Sequence, residues 1–96
     1  MSSRAQFKFR LYVAGDAPNS AQAIANLNSI CRTHLHSKCG IEIVDVFREP
    51  KRALADGIFM TPTLVKVAPG VSCRIVGTLS HTQTVLLALG LESIAA

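Results

Sequence analysis

The chain has 96 residues, of which 49% are hydrophobic and 17% charged, with a formal net charge of +4. That length predicts one domain spanning residues 1–96, with a real core and no room for a second, and the composition excludes a disordered polymer. Aromatic residues make up only 5% of the chain, which leaves the core to Ile, Leu, Val and Ala.

The basic residues are dispersed: Arg4, Lys8, Arg10, Arg32, Lys38, Arg48, Lys51, Arg52, Lys66 and Arg74. No run is longer than Lys51-Arg52, and no aromatic residues interleave with them, so neither a nucleic-acid stripe nor a stacking platform is present. A dispersed positive surface suits an acidic protein partner. Three cysteines at irregular spacing do not make a disulfide framework. The segment from Met1 to Gln6 leads directly into a strand rather than an apolar signal region, and no stretch approaches the ~20 apolar residues of a membrane span. The expected location is cytoplasmic, away from membranes.

Phe7 to Val13 alternates, with Phe7, Phe9, Leu11 and Val13 on one face and Lys8, Arg10 and Tyr12 on the other, which predicts a strand. Gly15, Asp16 and Pro18 mark a turn, and Asp16 or Asn19 is placed to cap the next element, Asn19 with Gln22 as a capping-box variant. Ile24, Leu27, Cys31 and Leu35 recur at steps of three and four, predicting an amphipathic helix from Ser20 to Lys38 closed by Gly40. Ile41 to Phe47 reads as a second strand, apolar on much of both faces and so expected at the centre of a sheet. Glu49-Pro50 opens a short helix that Gly57 ends. Thr63 to Val67 and Cys73 to Gly77 are two further strands. Ser80 with Gln83 reads as a capping box before a last helix carrying Val85, Leu86, Leu89 and Leu91.

The order βαβαββα has a direct physical reading. A right-handed strand–helix–strand crossover makes two parallel strands, and a short turn makes the last two antiparallel. The result is a mixed four-stranded sheet with helices on both faces, an α/β architecture of thioredoxin-like type. Met60, Thr61, Pro62, Thr63 and Leu64 agree with it, because a proline at a strand entrance fits a tight preceding turn. In thioredoxin-like domains the loop beside that proline carries redox cysteines. Here the loop from Gly15 to Ser20 has none, which points away from an oxidoreductase.

Other constellations are weaker. Cys31, His34, His36 and Cys39 have the look of a metal cluster, but on a continuous helix His34 and His36 fall about 160° apart, and no metal site is assigned. Cys31 and Cys39 lie in the middle and at the end of their helix, away from the pole that stabilises a thiolate, and Cys73 is a lone thiol beside Arg74. Glu42 and Asp45, three apart on a strand, face opposite ways and make no acid–base pair. No phosphate loop or nucleophile elbow appears. Catalytic residues and cofactors are therefore not expected.

Leu11 to Gly15, Pro18 to Ser20, Val44 to Val46, Thr61 to Leu64, Lys66-Val67, Arg74-Ile75, Gly77, Leu79-Ser80 and Val85-Leu86 run in order along the chain. Together they resemble the KaiB family of bacterial circadian-clock proteins. The resemblance implies a non-enzymatic protein that binds a KaiC-like ATPase and kinase ring, with KaiA-like or histidine-kinase proteins as further partners. It also implies homo-oligomers, dimer or tetramer, and a fold-switched tetrameric ground state as the alternative to the thioredoxin-like monomer. The chain departs from the family pattern in keeping only Pro69 of consecutive prolines, in having Cys73-Arg74 for an arginine pair, in Thr78 for an aspartate, and in lacking an acidic C-terminal tail. Lys66 and Arg74 are the candidate partner contacts, and Pro62, Pro69, Ala88 and Gly90 the candidate fold-determining positions. Ala88 stands where the family commonly has glycine and favours the helix by roughly 1 kcal/mol, so the thioredoxin-like state is expected to be well populated. The alternative reading is a thioredoxin-fold oxidoreductase-like or stress-adaptation protein without a KaiC partner.

Overall fold

In the computed structural model, residues 6–36 and 38–90 are described. The elements are β1 (Phe7–Val13), α1 (Pro18–His34), β2 (Cys39–Asp45), α2 (Pro50–Ala55), β3 (Thr63–Ala68), β4 (Cys73–Val76) and α3 (Thr82–Ala88). This is the order expected from the sequence. Leu91 lies outside the described residues.

The strands form one sheet in the order β2-β1-β3-β4. β1 runs parallel to β2 and antiparallel to β3, and β3 runs antiparallel to β4. β1 is thus a central strand and β2 an edge strand, a correction to the sequence reading. Being apolar on two faces reports layers above and below the sheet, whereas a central position depends on hydrogen-bonding neighbours at both edges. Val44 is fully buried against Tyr12, Ala53, Ile58 and Val65 on the α2 face, yet Glu42 and Ile43 are exposed along the open edge.

Alternation along β1 separates two cores. Phe9, Leu11 and Val13 join Leu64, the helical residues Ala23, Leu27, Ile30, Cys31, Val85 and Leu86, and the α3 C-cap Leu89 in the larger one, under α1 and α3. Tyr12, Val44 and Val65 point to the other face, where Ala53 of α2 and Ile58 close a smaller cluster. Helices therefore cover both faces, unequally.

The helix ends differ from the sequence expectation. α1 begins at Pro18, with Ala17 at the N-cap and no side-chain cap. Asn19 lies inside the helix, and Ser20 folds back so that its Oγ accepts the Ala14 N–H at 3.1 Å. α1 ends at His34, not Lys38. Leu35 sends its N–H to the Cys31 carbonyl, and His36 takes the left-handed conformation at φ 53°. Gly40 is part of β2, its cap role taken by that earlier turn. α3 begins after His81 without a side-chain cap. The N-cap thus falls on His81 rather than Ser80, whose Oγ receives a hydrogen bond from the Thr78 hydroxyl at 3.2 Å. α2 begins at Pro50, as expected, and stops before Gly57 at φ 66°.

Candidate partner-binding surface

The register sets Val13, Asp45, Thr63 and Val76 at one end of the sheet, since Val13 pairs with Asp45, Tyr12 with Thr63, and Thr63 with Val76. The segments that leave or enter the sheet there are 14–17, 46–49, 58–62 and 77–81. Asp45 ties the first two together: its Oδ1 accepts the N–H of Phe47 at 2.9 Å and of Gly15 at 3.3 Å. A side chain on Gly15 would meet the Phe47 ring, 3.6 Å from the Cβ position. Pro62 follows a cis peptide bond and is buried, and its carbonyl accepts the Gly77 N–H at 2.9 Å. Thr63 Oγ1 donates to the Met60 carbonyl at 2.6 Å. Pro62 thus joins β3 to the start of the 77–81 segment.

None of the three cysteines is at this end. Cys31 is buried within α1, and Cys39 and Cys73 open β2 and β4 at the opposite end of the sheet. Burial pushes the Cys31 thiol up, with Cys39 beside it adding to the effect, and burial raises Cys39 as well. Both are poor nucleophiles near neutral pH. The 14–17 segment, where a thioredoxin-type dithiol would stand, is Ala14, Gly15, Asp16 and Ala17.

What this end and the adjoining α2 do present is apolar. Phe47 is 74% exposed, Leu54 73%, Phe59 89% and Met60 63%. These side chains flank α2 before and after, and Leu54 lies on its outer side. Arg48 and Lys51 are exposed among them and make no ion pair among the described residues. Large apolar side chains left exposed at one end of a sheet are candidates for association with a partner.

Beneath α2 lies a set of charged groups. Arg10 Nη1 donates to Asp56 Oδ2 at 2.9 Å, and its Nε to Glu42 Oε1 at 3.3 Å. Arg52 grips Glu42 with two nitrogens, at 2.7 and 2.9 Å, and reaches Glu49 at 3.2 Å. The buried Tyr12 hydroxyl donates to the Asp56 carboxylate. Arg52 holds Glu42 well below the usual carboxylate range, at about 2. The Tyr12 hydroxyl, more than Arg10, lowers Asp56, while burial raises Tyr12 itself.

Of the two contact candidates from the sequence, Arg74 pairs with Val65 and lies on the α2 face, its Nη1 donating to the Gly57 carbonyl at 3.3 Å. Lys66 pairs with Cys73 and Phe9 and lies on the α1/α3 face, half-buried. The structure does not bring them together. Pro69 also follows a cis bond, at the exposed β3–β4 turn. Ala88 is the exposed last residue of α3, and Gly90 lies beyond it at φ 76°. Sequence reasoning passed over Phe47, Leu54, Phe59 and Met60. The signal available was two large apolar residues, Phe59 and Met60, directly before Thr-Pro and outside any helical or strand period.

No helix among the described residues is long and apolar enough to cross a membrane, and those residues hold no group of three or more metal-ligating side chains. Among solved structures, the N-terminal domain of SasA from Synechococcus elongatus is similar at a TM-score of 0.74 and 18% identity, covering 97% of this chain and 91% of that one. Fasciola hepatica thioredoxin is similar at a TM-score of 0.70 and 13% identity, with 94% and 85% covered. Both likenesses establish the thioredoxin-like fold. The circadian clock protein KaiB3 of Synechocystis sp. is 45% identical over 80 residues, spanning 83% of this chain and 78% of the relative. The circadian clock oscillator protein KaiB of Synechococcus sp. is 40% identical over 91 residues, spanning 95% and 83%. The KaiB domain model matches residues 10–91. On that match and those identities, the chain belongs to the KaiB family of circadian clock proteins.

Proposed function

We propose that this chain is a non-enzymatic, cytoplasmic regulator that binds a KaiC-like ATPase ring and modulates its phosphorylation state or output. Family membership over residues 10–91 carries this reading. The site geometry supports it: at the end of the sheet where a thioredoxin would hold its dithiol, the 14–17 segment has no cysteine. The neighbouring segments offer exposed Phe47, Phe59 and Met60, with Arg48 and Lys51 exposed beside Phe47 and in α2. Apolar anchors beside unpaired cations suit a partner face with apolar pockets and acidic groups. Arg74 borders that face through its contact with Gly57. Lys66 is the contact to test on the opposite face. KaiA-like and histidine-kinase proteins are further candidate partners, and self-association would be read from the same experiment.

The test is titration of the purified chain into a KaiC-like ATPase with ATP, read by co-migration on size exclusion and by the phosphorylation state of the ring. A co-migrating complex with altered phosphorylation is the expected result. No complex after long incubation, together with thiol-dependent disulfide reductase activity, would overturn the reading in favour of an oxidoreductase-like protein.

A further inference from the structure

α2 is six residues long, with Ala53 as its one buried residue and no side-chain cap at its start. A helix of that length has no independent stability in water, so its place on the sheet must come from tertiary contacts. The apolar contribution is small: Ala53 and Ile58 sit on Tyr12, Val44 and Val65. By contrast, α1 buries five residues of its own.

The remaining attachment is polar and gathers at the C-terminal turn of the helix. In that last turn, Arg52 holds Glu42 of β2 at 2.7 Å. At the C-cap, Asp56 takes Arg10 of β1 at 2.9 Å as well as the Tyr12 hydroxyl. Glu49 is drawn in through Arg52, and the Arg74 guanidinium of β4 closes over the Gly57 carbonyl. These are the charged and titratable groups that face α2, with Lys8 further along the same face of β1. The side chains of the Arg10–Asp56 pair are each 28% exposed, and those of the Arg52–Glu42 pair 36% and 50%. Ion pairs this accessible are weakened by salt.

We infer that α2 is a detachable strap, held to the sheet by a two-point ionic clasp of Arg52–Glu42 and Arg10–Asp56, which opens locally while the core under α1 and α3 stays folded. Opening frees Phe47, Leu54, Phe59 and Met60 to change their mutual arrangement, so the clasp controls how the apolar surface is presented. That regulatory sense rests on the partner-binding reading, whereas the opening itself does not.

Hydrogen exchange on the full chain, without any partner, tests the strap. The amides of Asp56, Gly57 and Ile58, bonded within 3.1 Å to the carbonyls of Arg52, Leu54 and Ala53, report on α2. The amides of Leu11 and Leu27 report on the main core. High salt is expected to speed exchange of the α2 amides about fivefold and leave the core amides unchanged. Arg10→Met and Glu42→Gln should raise the low-salt rate by a similar factor and remove most of the salt response. α2 amides that exchange in step with Leu11 and Leu27, or show no salt response, would overturn the strap. If the variants do not fold, the salt series on the unaltered chain decides alone. The ring-binding titration is separate, so either idea can fail without the other.

Discussion

The hydroxyl of Tyr12 on the central strand donates to the carboxylate of Asp56 at the end of α2, and the same carboxylate accepts Arg10. Tyr12 is fully buried, so this bond satisfies a hydroxyl that has little access to water. Tyr12→Phe is expected to lower stability by about 1 kcal/mol, since Asp56 keeps Arg10. Asp56→Ala should cost more, about 2 kcal/mol, because it takes the nearer acceptor from the Tyr12 hydroxyl, leaving only the Arg52 carbonyl at 3.4 Å, and leaves Arg10 with Glu42 alone. Urea unfolding of both variants and their double mutant checks the order, and a smaller loss for Asp56→Ala would contradict it.

Acid should loosen α2. Glu42 is depressed from 4.5 to about 2, chiefly by the Arg52 hydrogen bonds, and Asp56 is depressed from 3.8, chiefly by Tyr12. For a carboxylate whose folded pKa is lowered, the stabilisation is present above its unfolded pKa and is lost as pH falls toward the folded one. The window is therefore pH 4.5 down to about 2. Because Glu42 is half-exposed, solvent screening makes the change smaller than the full shift implies. Stability measured across this window should have a shallower slope in Glu42→Gln than in the unaltered chain.

Phe59, at 89% exposure, contributes little to the core, so its loss separates binding from folding. Phe59→Ser should leave thermal stability unchanged within about 0.5 kcal/mol. It should also weaken a complex with a KaiC-like ring about tenfold or more if the aromatic is an anchor. Thermal unfolding of the free chain checks the first arm and calorimetric titration of the complex the second. Arg74→Glu is expected to weaken the same complex through charge reversal on the α2 face. A larger effect from Lys66→Glu would place the interface on the α1/α3 face instead.

Ala88 is exposed at the end of α3, so Ala88→Gly changes backbone propensity without removing a core contact. The expected loss is somewhat under 1 kcal/mol, since the interior value of about 1 falls off at a helix end. If the thioredoxin-like state competes with an alternative tetrameric one, that loss shifts the balance toward the tetramer. Analytical ultracentrifugation across a concentration series would detect it. An unchanged oligomer distribution would count against the competition.

Several parts of the fold were legible because they depend on local periodicity. The alternation of Phe7 to Val13 predicted which β1 residues enter the larger core, and the Ile24, Leu27, Cys31, Leu35 spacing predicted the buried side of α1. Pro50 and Gly57 marked the limits of α2 through their backbone restrictions alone. The caps were not legible in the same way. Asn19 and Ser80 had the right chemistry to cap, but α1 starts at Pro18 with Asn19 already inside it, and α3 starts after His81 with the Ser80 hydroxyl accepting from Thr78.

By itself the sequence determined the order of elements, the two-faced character of β1, the absence of cysteine from the loop before α1, and family membership. Only the tertiary structure decided that β2 is an edge strand, that Lys66 and Arg74 stand on opposite faces, and that Arg10, Tyr12, Glu42, Arg52 and Asp56 meet under α2. The physical reason is sequence separation. Tyr12 and Asp56 are 44 residues apart, and no periodicity within either segment encodes the pairing. Only the crossover that lays α2 over the second face of β1 brings the two groups within reach. Pro62 was the local marker of that architecture, while the exposed Phe47, Phe59 and Met60 around it became a surface once the sheet had gathered the loops at one end.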